Sequence, residues 1–374
     1  MRSSILVISF LALIILVFSS ARPVEAIPAL ARKFGLQCAT CHAHGAKLNP
    51  FGMAFAAGGP KAVGLEEKVK GPPLTAYISW LARQSSYNSE PVSWLSRFEW
   101  VFDEVTDKRA YFIEWRLLSY DINGNGFLDR SGRFEDVIAS FVLTPGLALD
   151  IGQFRPLAQT DVSQRVSNSE ALALTRLAPG DQASNARRTG LRGFAPAARS
   201  PGLRALFGKN DPNGWHGALT LPFPGEFSIP LTGPAQKNAS FEFEPVPKGV
   251  LVEAWNRKED DHVGAFGFIG NAGRSVVGAT ATKLDRNVFY SAAVTKLHGR
   301  LTDAWLASLE ALYVPKWQNA YGFRLDLAQR EPPIYVPFLS YHIPGDGNVF
   351  RFVLEGRFRS GSRPTIVFEI NFLH

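Results

Sequence analysis

The sequence predicts a mainly β protein: a transmembrane antiparallel β-barrel of about 14–16 strands, preceded by a small N-terminal α-helical segment. From residue 73 onward, apolar and polar residues alternate in runs of roughly the 9–11 residues that a membrane-crossing strand needs. The polar face of the clearest runs carries Arg and Glu together, as a water-filled lumen requires. No apolar segment after residue 26 has the length of a transmembrane helix, so a membrane location would require a closed barrel.

The alternation defines the individual strands. In the run at 350–358, Phe350, Phe352 and Leu354 share one face, while Arg351 and Glu355 share the other. The predicted strands are 74–83, 92–102, 111–117, 134–144, 146–155, 249–257, 262–270, 273–283, 287–296, 303–313, 320–327, 334–342, 350–358 and 365–372. The stretch 156–248, rich in Pro, Gly and Arg, has room for two more. A water-soluble β-sandwich also alternates and is the alternative for this region.

Aromatic residues near the predicted strand ends indicate a girdle at the membrane surface, as transmembrane barrels have. These residues are Trp80, Trp94, Tyr111, Tyr120, Trp305, Tyr313 and Trp317. A location in the outer membrane, in contact with its lipid, follows from a barrel of this kind.

The first 26 residues have the features of a secretory signal peptide. Arg2 precedes an apolar run at 5–18, and Ala26 is the small residue expected before a cleavage site. The run is shorter than the about 20 residues of a membrane-spanning helix, although an uncleaved anchor is the alternative. The predicted organisation is therefore a signal peptide at 1–26, an N-terminal segment at 27–72 and a barrel at 73–374.

The composition limits the class of protein further. Charged residues make up 20% of the chain and aromatic residues 12%, with 33 Gly and 25 Pro, which is typical neither of a disordered chain nor of a helical bundle. The formal net charge is +7, but Lys and Arg are spread along the chain and form no nucleic-acid-binding module. Nucleic acid is therefore not an expected partner.

The two cysteines of the chain lie in the sequence Cys38-Ala39-Thr40-Cys41-His42. This C-x-x-C-H spacing is that of a c-type haem attachment site, in which both thiols form thioethers to one porphyrin. His42 would then be the proximal ligand of the iron. The alternatives are a strained disulfide, a buried pair of small apolar residues or a partial zinc site, although zinc would need a second ligand pair. The predicted cofactor is one covalent haem c.

A second axial ligand is less clearly indicated. Met53 is the one methionine that remains after signal cleavage, and is the candidate if the ligand is a thioether sulfur. His44 is separated from His42 by too little chain to reach the opposite face of a porphyrin. The sixth position could also hold water, no ligand, or a histidine of the barrel, namely His216, His262, His298 or His342.

Two further groups of polar residues are candidate binding sites. The sequence 121–129 matches the start of an EF-hand calcium loop, with oxygen ligands at Asp121, Asn123, Asn125 and Asp129. Gly132 stands where the bidentate Glu is expected, so a calcium-stabilised loop and an ordinary Asn-Gly turn are both open. Arginines that could line the lumen, pair with haem propionates or hold an anion are Arg155, Arg165, Arg176, Arg187, Arg188, Arg192, Arg199 and Arg204.

The residues around the haem motif, 31–37 before it and 47–55 after it, resemble a known family. They are similar to the front end of the fused monohaem cytochrome c–porins of bacterial outer membranes, which include outer-membrane iron oxidases. The resemblance implies that the haem segment plugs a barrel of about sixteen strands. Prolines are common in that family where this chain has His44 and Ala46.

The resemblance also implies a function: transfer of single electrons between an extracellular donor, Fe(II) or another reductant, and a periplasmic carrier such as a soluble cytochrome. If the protein acts as an enzyme, it would be an iron(II) oxidoreductase. The direction of electron flow is open. Two different functions are also compatible with the sequence: a solute-transport porin with a haem plug, and a soluble periplasmic haem protein that serves as a peroxidase or sensor.

Overall fold

A computed structural model describes most of the chain from Lys33 onward. The described residues are 33–44, 47–52, 55, 63–66, 68, 74–84, 92–106, 108–119, 130–144, 146–154, 166, 200–208, 213–222, 249–258, 261–270, 275–299, 302–329, 331–344, 349–362 and 364–373. The predicted signal peptide, the predicted ligand Met53 and the predicted calcium ligands lie outside them.

The N-terminal segment contains a helical turn and a small hairpin. The turn α1 (Cys38–Cys41) is followed directly by strand β1 (His42–His44), which pairs antiparallel with β2 (Lys47–Leu48). Short helical stretches occur on both sides, at residues 33–34 and 50–52. In the described part of the chain, no helix is long and apolar enough to cross a membrane.

A closed antiparallel barrel follows. Its strands, as far as the chain is described, are β3 (Leu74–Gln84), β4 (Val92–Val105), β5 (Arg109–Ser119), β6 (Arg130–Thr144), β7 (Leu147–Phe154), β8 (Ser200–Phe207), β9 (Gly214–Pro222), β10 (Gly249–Lys258), β11 (Asp261–Gly270), β12 (Ser275–Asp285), β13 (Val288–Gly299), β14 (Thr302–Lys316), β15 (Asn319–Ala328), β16 (Glu331–Pro344), β17 (Val349–Arg359) and β18 (Thr365–Leu373).

Each of these strands pairs with its neighbours in sequence, and β18 pairs with β3 to close the wall. The prediction of 14–16 strands is confirmed at its upper limit, because the stretch 156–248 contributes β8 and β9. The alternative of two packed sheets is wrong, since hydrogen-bonded strand pairs continue around the whole circumference.

The wall is apolar outside and polar inside, which is the reverse of a water-soluble protein. In β16, Tyr335, Leu339 and Tyr341 are exposed, whereas Ser340 and His342 between and after them are buried. Buried polar side chains on the inner face include Asp150, Arg204, Glu253, Thr280, Thr295, Ser308, Arg324, Asp326, Glu355 and Asn371. This pattern is that of a transmembrane barrel with a polar interior.

The two ends of the barrel differ in the length of their connections. At one end the strands join through short stretches such as 145–146, 286–287 and 317–318, and we call this the short-turn end. At the opposite end the connections include 155–199 and 223–248. Bacterial barrels place their short turns on the periplasmic side. Because β3 begins at the short-turn end, the N-terminal segment joins the wall there.

Aromatic side chains on the outer face gather near both ends. Tyr290, Tyr313, Tyr321 and Tyr341 lie toward the short-turn end, and Trp305 and Tyr335 lie toward the other end. The girdle prediction is therefore confirmed for Trp305 and Tyr313. It is wrong for Trp317, whose ring lies 4.9 Å from that of the inward-facing His342. Trp317 belongs to the turn after β14, where strand alternation no longer fixes the direction of a side chain.

The outer face of β14 offers a direct test of membrane exposure. Replacing Leu309, which is 47% exposed near the middle of the strand, by Arg is expected to lower the free energy of unfolding in phospholipid vesicles. The expected loss is about 2–4 kcal/mol, because Arg is costly at the bilayer midplane. The control is Asp285→Arg beside a short turn, where the loss should stay below about 1 kcal/mol. Equal losses would contradict the assignment.

Candidate haem site

The cysteine motif forms a single helical turn that ends at His42. The backbone N–H of His42 donates to the carbonyl oxygen of Cys38, and a spacing of three residues brings both thiols to the same side of the turn. Neither thiol forms a disulfide, and both side chains are partly buried. Burial raises the pKa of Cys38 to about 11 and also raises the pKa of Cys41, so both thiols are neutral near pH 7.

The placement of the metal-binding side chains bears on the zinc alternative to haem. Within the described residues, no group of three or more His, Cys, Asp or Glu side chains is placed to hold a metal ion. The donor set therefore consists of two neighbouring thiols and the imidazole of His42, which fits haem c.

The segment after the motif holds the turn in place. The Asn49 side-chain amide donates to the carbonyl oxygens of Ala39 (3.2 Å) and Thr40 (3.0 Å), and its backbone N–H donates to that of Cys41 (2.9 Å). Its side-chain oxygen accepts from the backbone N–H of Gly52. A Cβ atom on Gly52 would lie 2.0 Å from the Cys41 carbonyl oxygen. The turn thus depends on a close backbone approach that glycine alone allows.

The hairpin after the motif packs against the inner wall of the barrel. His44 is fully buried, and its Nδ1 lies 2.7 Å from the carbonyl oxygen of Trp317. Ala43 packs against an apolar cluster, and the Lys47 ammonium lies 5.3 Å from the centre of the Phe289 ring. The cluster consists of Val166, Phe289, Leu312, Val314, Ala320 and Phe338. The lumen is therefore apolar where the hairpin meets the wall near the short-turn end.

The imidazoles at this contact are stacked and keep free nitrogen atoms. The rings of His44 and His342 are parallel, 4.1 Å apart, and the Trp317 ring lies against that of His342. Among the described residues, no hydrogen-bond partner is found for His44 Nε2, His342 Nδ1 or Trp317 Nε1. Buried nitrogen atoms without partners are costly, so they indicate a site shaped for a bound group. They fit a haem beside His42.

Burial controls the charge state of His44. Burial is the largest cause, and together with the nearby charge of Arg351 it lowers the pKa of His44 to about 4, although the hydrogen bond to the Trp317 carbonyl opposes both effects. The imidazole is therefore neutral at pH 7. Arg351 is itself fixed, because its Nε donates to Ser340 Oγ (3.2 Å) and its Nη2 donates to the carbonyl oxygen of Val166.

A second polar network lies deeper in the lumen, away from the short-turn end. Arg324 binds Asp326 at 3.0 Å and lies 3.8 Å from Glu310, while the Ser308 hydroxyl donates to Asp326 (2.6 Å). On the other side of the barrel, Arg204 Nε donates to Asp150 at 2.9 Å. The expectation that arginines line the lumen therefore holds for Arg204. The arginines predicted with it lie outside the described residues.

The structure adds residues that the motif did not identify. His342, Trp317 and Arg351 face His44, and Val166 comes from the long connection between β7 and β8. Two of the barrel histidines that the sequence offers as ligands stack on other rings. His342 stacks on His44, and His216 stacks on Trp255. The predicted calcium sequence lies in the connection between β5 and β6, at the end opposite the short turns.

Comparisons with known proteins support the fold. No family model and no curated protein matches the sequence. Among solved structures, the anion-selective porin from Comamonas acidovorans matches with a TM-score of 0.50 and 9% identity over 81% of this chain and 99% of its own. A loop-deletion mutant of OmpT, an outer membrane protein of Vibrio cholerae, gives a TM-score of 0.49 and 11% identity over 80% of this chain and 97% of its own.

The fold is that of a porin-type transmembrane β-barrel. Residues of the N-terminal segment, Ala43 and His44, pack on the inner wall of this barrel. At this level of identity the similarity concerns the fold alone.

Proposed function

We propose that this protein is an outer-membrane cytochrome–porin that transfers single electrons between an extracellular donor, Fe(II), and a periplasmic acceptor. Residues 27–72 would be a monohaem cytochrome c segment that plugs the lumen. The observation that carries the proposal is the packing of Ala43 and His44 on the inner wall at the short-turn end. A C-x-x-C-H motif on an ordinary surface loop would have no need of such a buried contact.

Each part of the site has a defined task. Cys38 and Cys41 would hold haem c covalently, and His42 would bind its iron. When bound, haem c supplies a one-electron couple at its iron. Asn49 and Gly52 hold the turn, and the apolar cluster around Phe289 and Phe338 packs against Ala43, directly after His42. The barrel thereby positions and shields the redox group, which is the role that a protein scaffold has toward a cofactor.

Spectroscopy of purified outer membranes tests the proposal. The membranes are oxidised and then mixed with Fe(II) under anaerobic conditions. We expect the absorption band of reduced c-type haem to appear rapidly, and to be absent from membranes that contain His42→Ala at equal protein level. If haem does not sediment with the outer membrane, the proposal is wrong. If haem is present and reducible by dithionite but not by Fe(II), the donor is another reductant.

A solute-transport porin with a haem plug is the second candidate. The buried ion pairs Arg204–Asp150 and Arg324–Asp326 place fixed charges along a polar lumen, as in channels that select solutes. Val166, from the long connection between β7 and β8, also enters the lumen. Liposome swelling with neutral and charged solutes distinguishes the candidates. Solute flux through the wild-type protein would support transport. A barrel that passes none of the solutes would support electron transfer alone.

Arg351 provides a test of the redox role that does not need the donor. Because its positive charge favours the reduced form of a nearby haem, Arg351→Gln is expected to lower the midpoint potential. One charge at about 10 Å, with an effective dielectric constant of ~20, contributes roughly 1–2 kcal/mol, or on the order of tens of millivolts for one electron. Spectroelectrochemical titration measures the shift. Arg359→Gln, on a partly exposed pair with Glu331 at the far end of β17, is the control.

A further inference from the structure

His342 is the barrel residue most closely associated with the haem motif in the described part of the chain. It lies on the inner face of β16, is 2% exposed, and stacks on His44, which is two residues beyond His42. Its Nδ1 has no hydrogen-bond partner among the described residues.

We propose that His342 supplies the second axial nitrogen to the iron of the haem that Cys38 and Cys41 hold and His42 binds. The inference rests on the proposed cytochrome–porin function and adds a ligand from the barrel itself. The haem would then join the N-terminal segment to the wall, so that its ligation requires the segment to be docked inside the barrel.

Three other histidines of the described chain, His44, His216 and His298, are less suited to this role. His44 is too near in sequence, because two residues of extended chain span about 7 Å, which does not carry a side chain around a porphyrin to its opposite face. His216 packs on Trp255 in the wall of β9 and β10, and His298 is exposed.

His44 and Trp317 would act as positioning residues. The hydrogen bond from His44 to the backbone of Trp317 fixes the hairpin against the turn after β14. The ring of Trp317 packs against His342 and restricts its rotation. The two contacts hold the imidazole of His342 beside the motif, and this is the arrangement that an axial ligand from a separate element needs.

Electron paramagnetic resonance and near-infrared magnetic circular dichroism of the oxidised holoprotein test the ligand. The wild-type protein should show a low-spin haem with two imidazole ligands. His342→Ala should lose this signal and become high-spin, and added imidazole should restore the low-spin form. Met53→Leu and His216→Leu should leave the spectra unchanged. Folding of each variant is verified by its heat-dependent mobility on a gel.

The possible outcomes test ligation by His342 separately from the proposed cytochrome–porin function. A two-imidazole spectrum that persists in His342→Ala overturns the inference, and so does a change caused by Met53→Leu. If His342→Ala does not fold, His342→Met replaces it. That variant should gain the near-infrared band of thioether ligation. Its midpoint potential should also be higher, because a Met ligand in place of His raises the potential of haem. An unchanged spectrum would overturn the inference. Wild-type protein without covalent haem would instead refute the cytochrome–porin function.

Discussion

Replacing Arg324 by Leu is expected to be the most destabilising single change in the barrel wall. Arg324 is 1% exposed, and its loss would leave the buried carboxylate of Asp326 without its cation, beside Glu310. Breaking a buried pair by removing one partner costs about 3–5 kcal/mol, because the remaining charge stays out of water. Urea unfolding of the purified barrel, followed by tryptophan fluorescence, measures the loss.

A matched control exists in the same wall. The pair of Arg359 and Glu331 spans 3.5 Å, and its side chains are 36% and 20% exposed, so Arg359→Leu should cost less than about 1 kcal/mol. Adding Asp326→Asn to Arg324→Leu should recover part of the lost stability. Similar losses for Arg324→Leu and Arg359→Leu would show that the lumen solvates charge well at Arg324.

Gly52→Ala is expected to have the largest effect on haem attachment outside the motif itself. The added methyl group would lie 2.0 Å from the carbonyl oxygen of Cys41, and because both groups are fixed by the backbone, the turn must move. Overpacking of this kind costs about 1–3 kcal/mol, enough to reduce the fraction of correctly formed turn several-fold. Haem staining of the denatured protein, normalised to protein amount, measures the yield of covalent haem.

The barrel contains a suitable control for this change. A Cβ atom on Gly267 would meet only Val277 Cγ1 at 3.9 Å, so Gly267→Ala should retain the wild-type yield of haem. A normal yield in Gly52→Ala would mean that the contact between Asn49–Gly52 and Cys41 is not needed when haem is attached.

Much of the fold could be predicted because strand alternation is a local property. In β17, the exposed Leu354 and Phe358 and the buried Glu355 follow the predicted faces. Strands β8 and β9 were predicted only as additional strands without bounds, because residues such as Gly202 and Gly217 interrupt the alternation. The apolar cluster inside the lumen was not predictable either, since Phe289 and Phe338 occupy inward positions where polar residues are the rule.

The candidate site was only half predictable. Cys38, Cys41 and His42 are adjacent in sequence, so their spacing alone indicates covalent haem. The contacts of His44 with Trp317 and His342 join residues about three hundred positions apart, and they arise from how the hairpin enters the barrel. The sequence around a histidine on the polar face of a strand does not indicate a partner so distant in the chain. Knowledge of the strand register around the barrel would have placed Trp317, Arg351 and His342 at the same end.

The meeting of β3 and β18 has a consequence for assembly. Leu373 pairs with Tyr77 near the short-turn end, so the seam that completes the cylinder joins β3 and β18, which lie at the two ends of the barrel sequence. The residues before β3 are joined to that seam at the short-turn end. If the motif holds haem as proposed, it would be loaded before the cylinder closes, and closure would then enclose a finished plug. Haem loading and barrel insertion would be ordered steps of one maturation process.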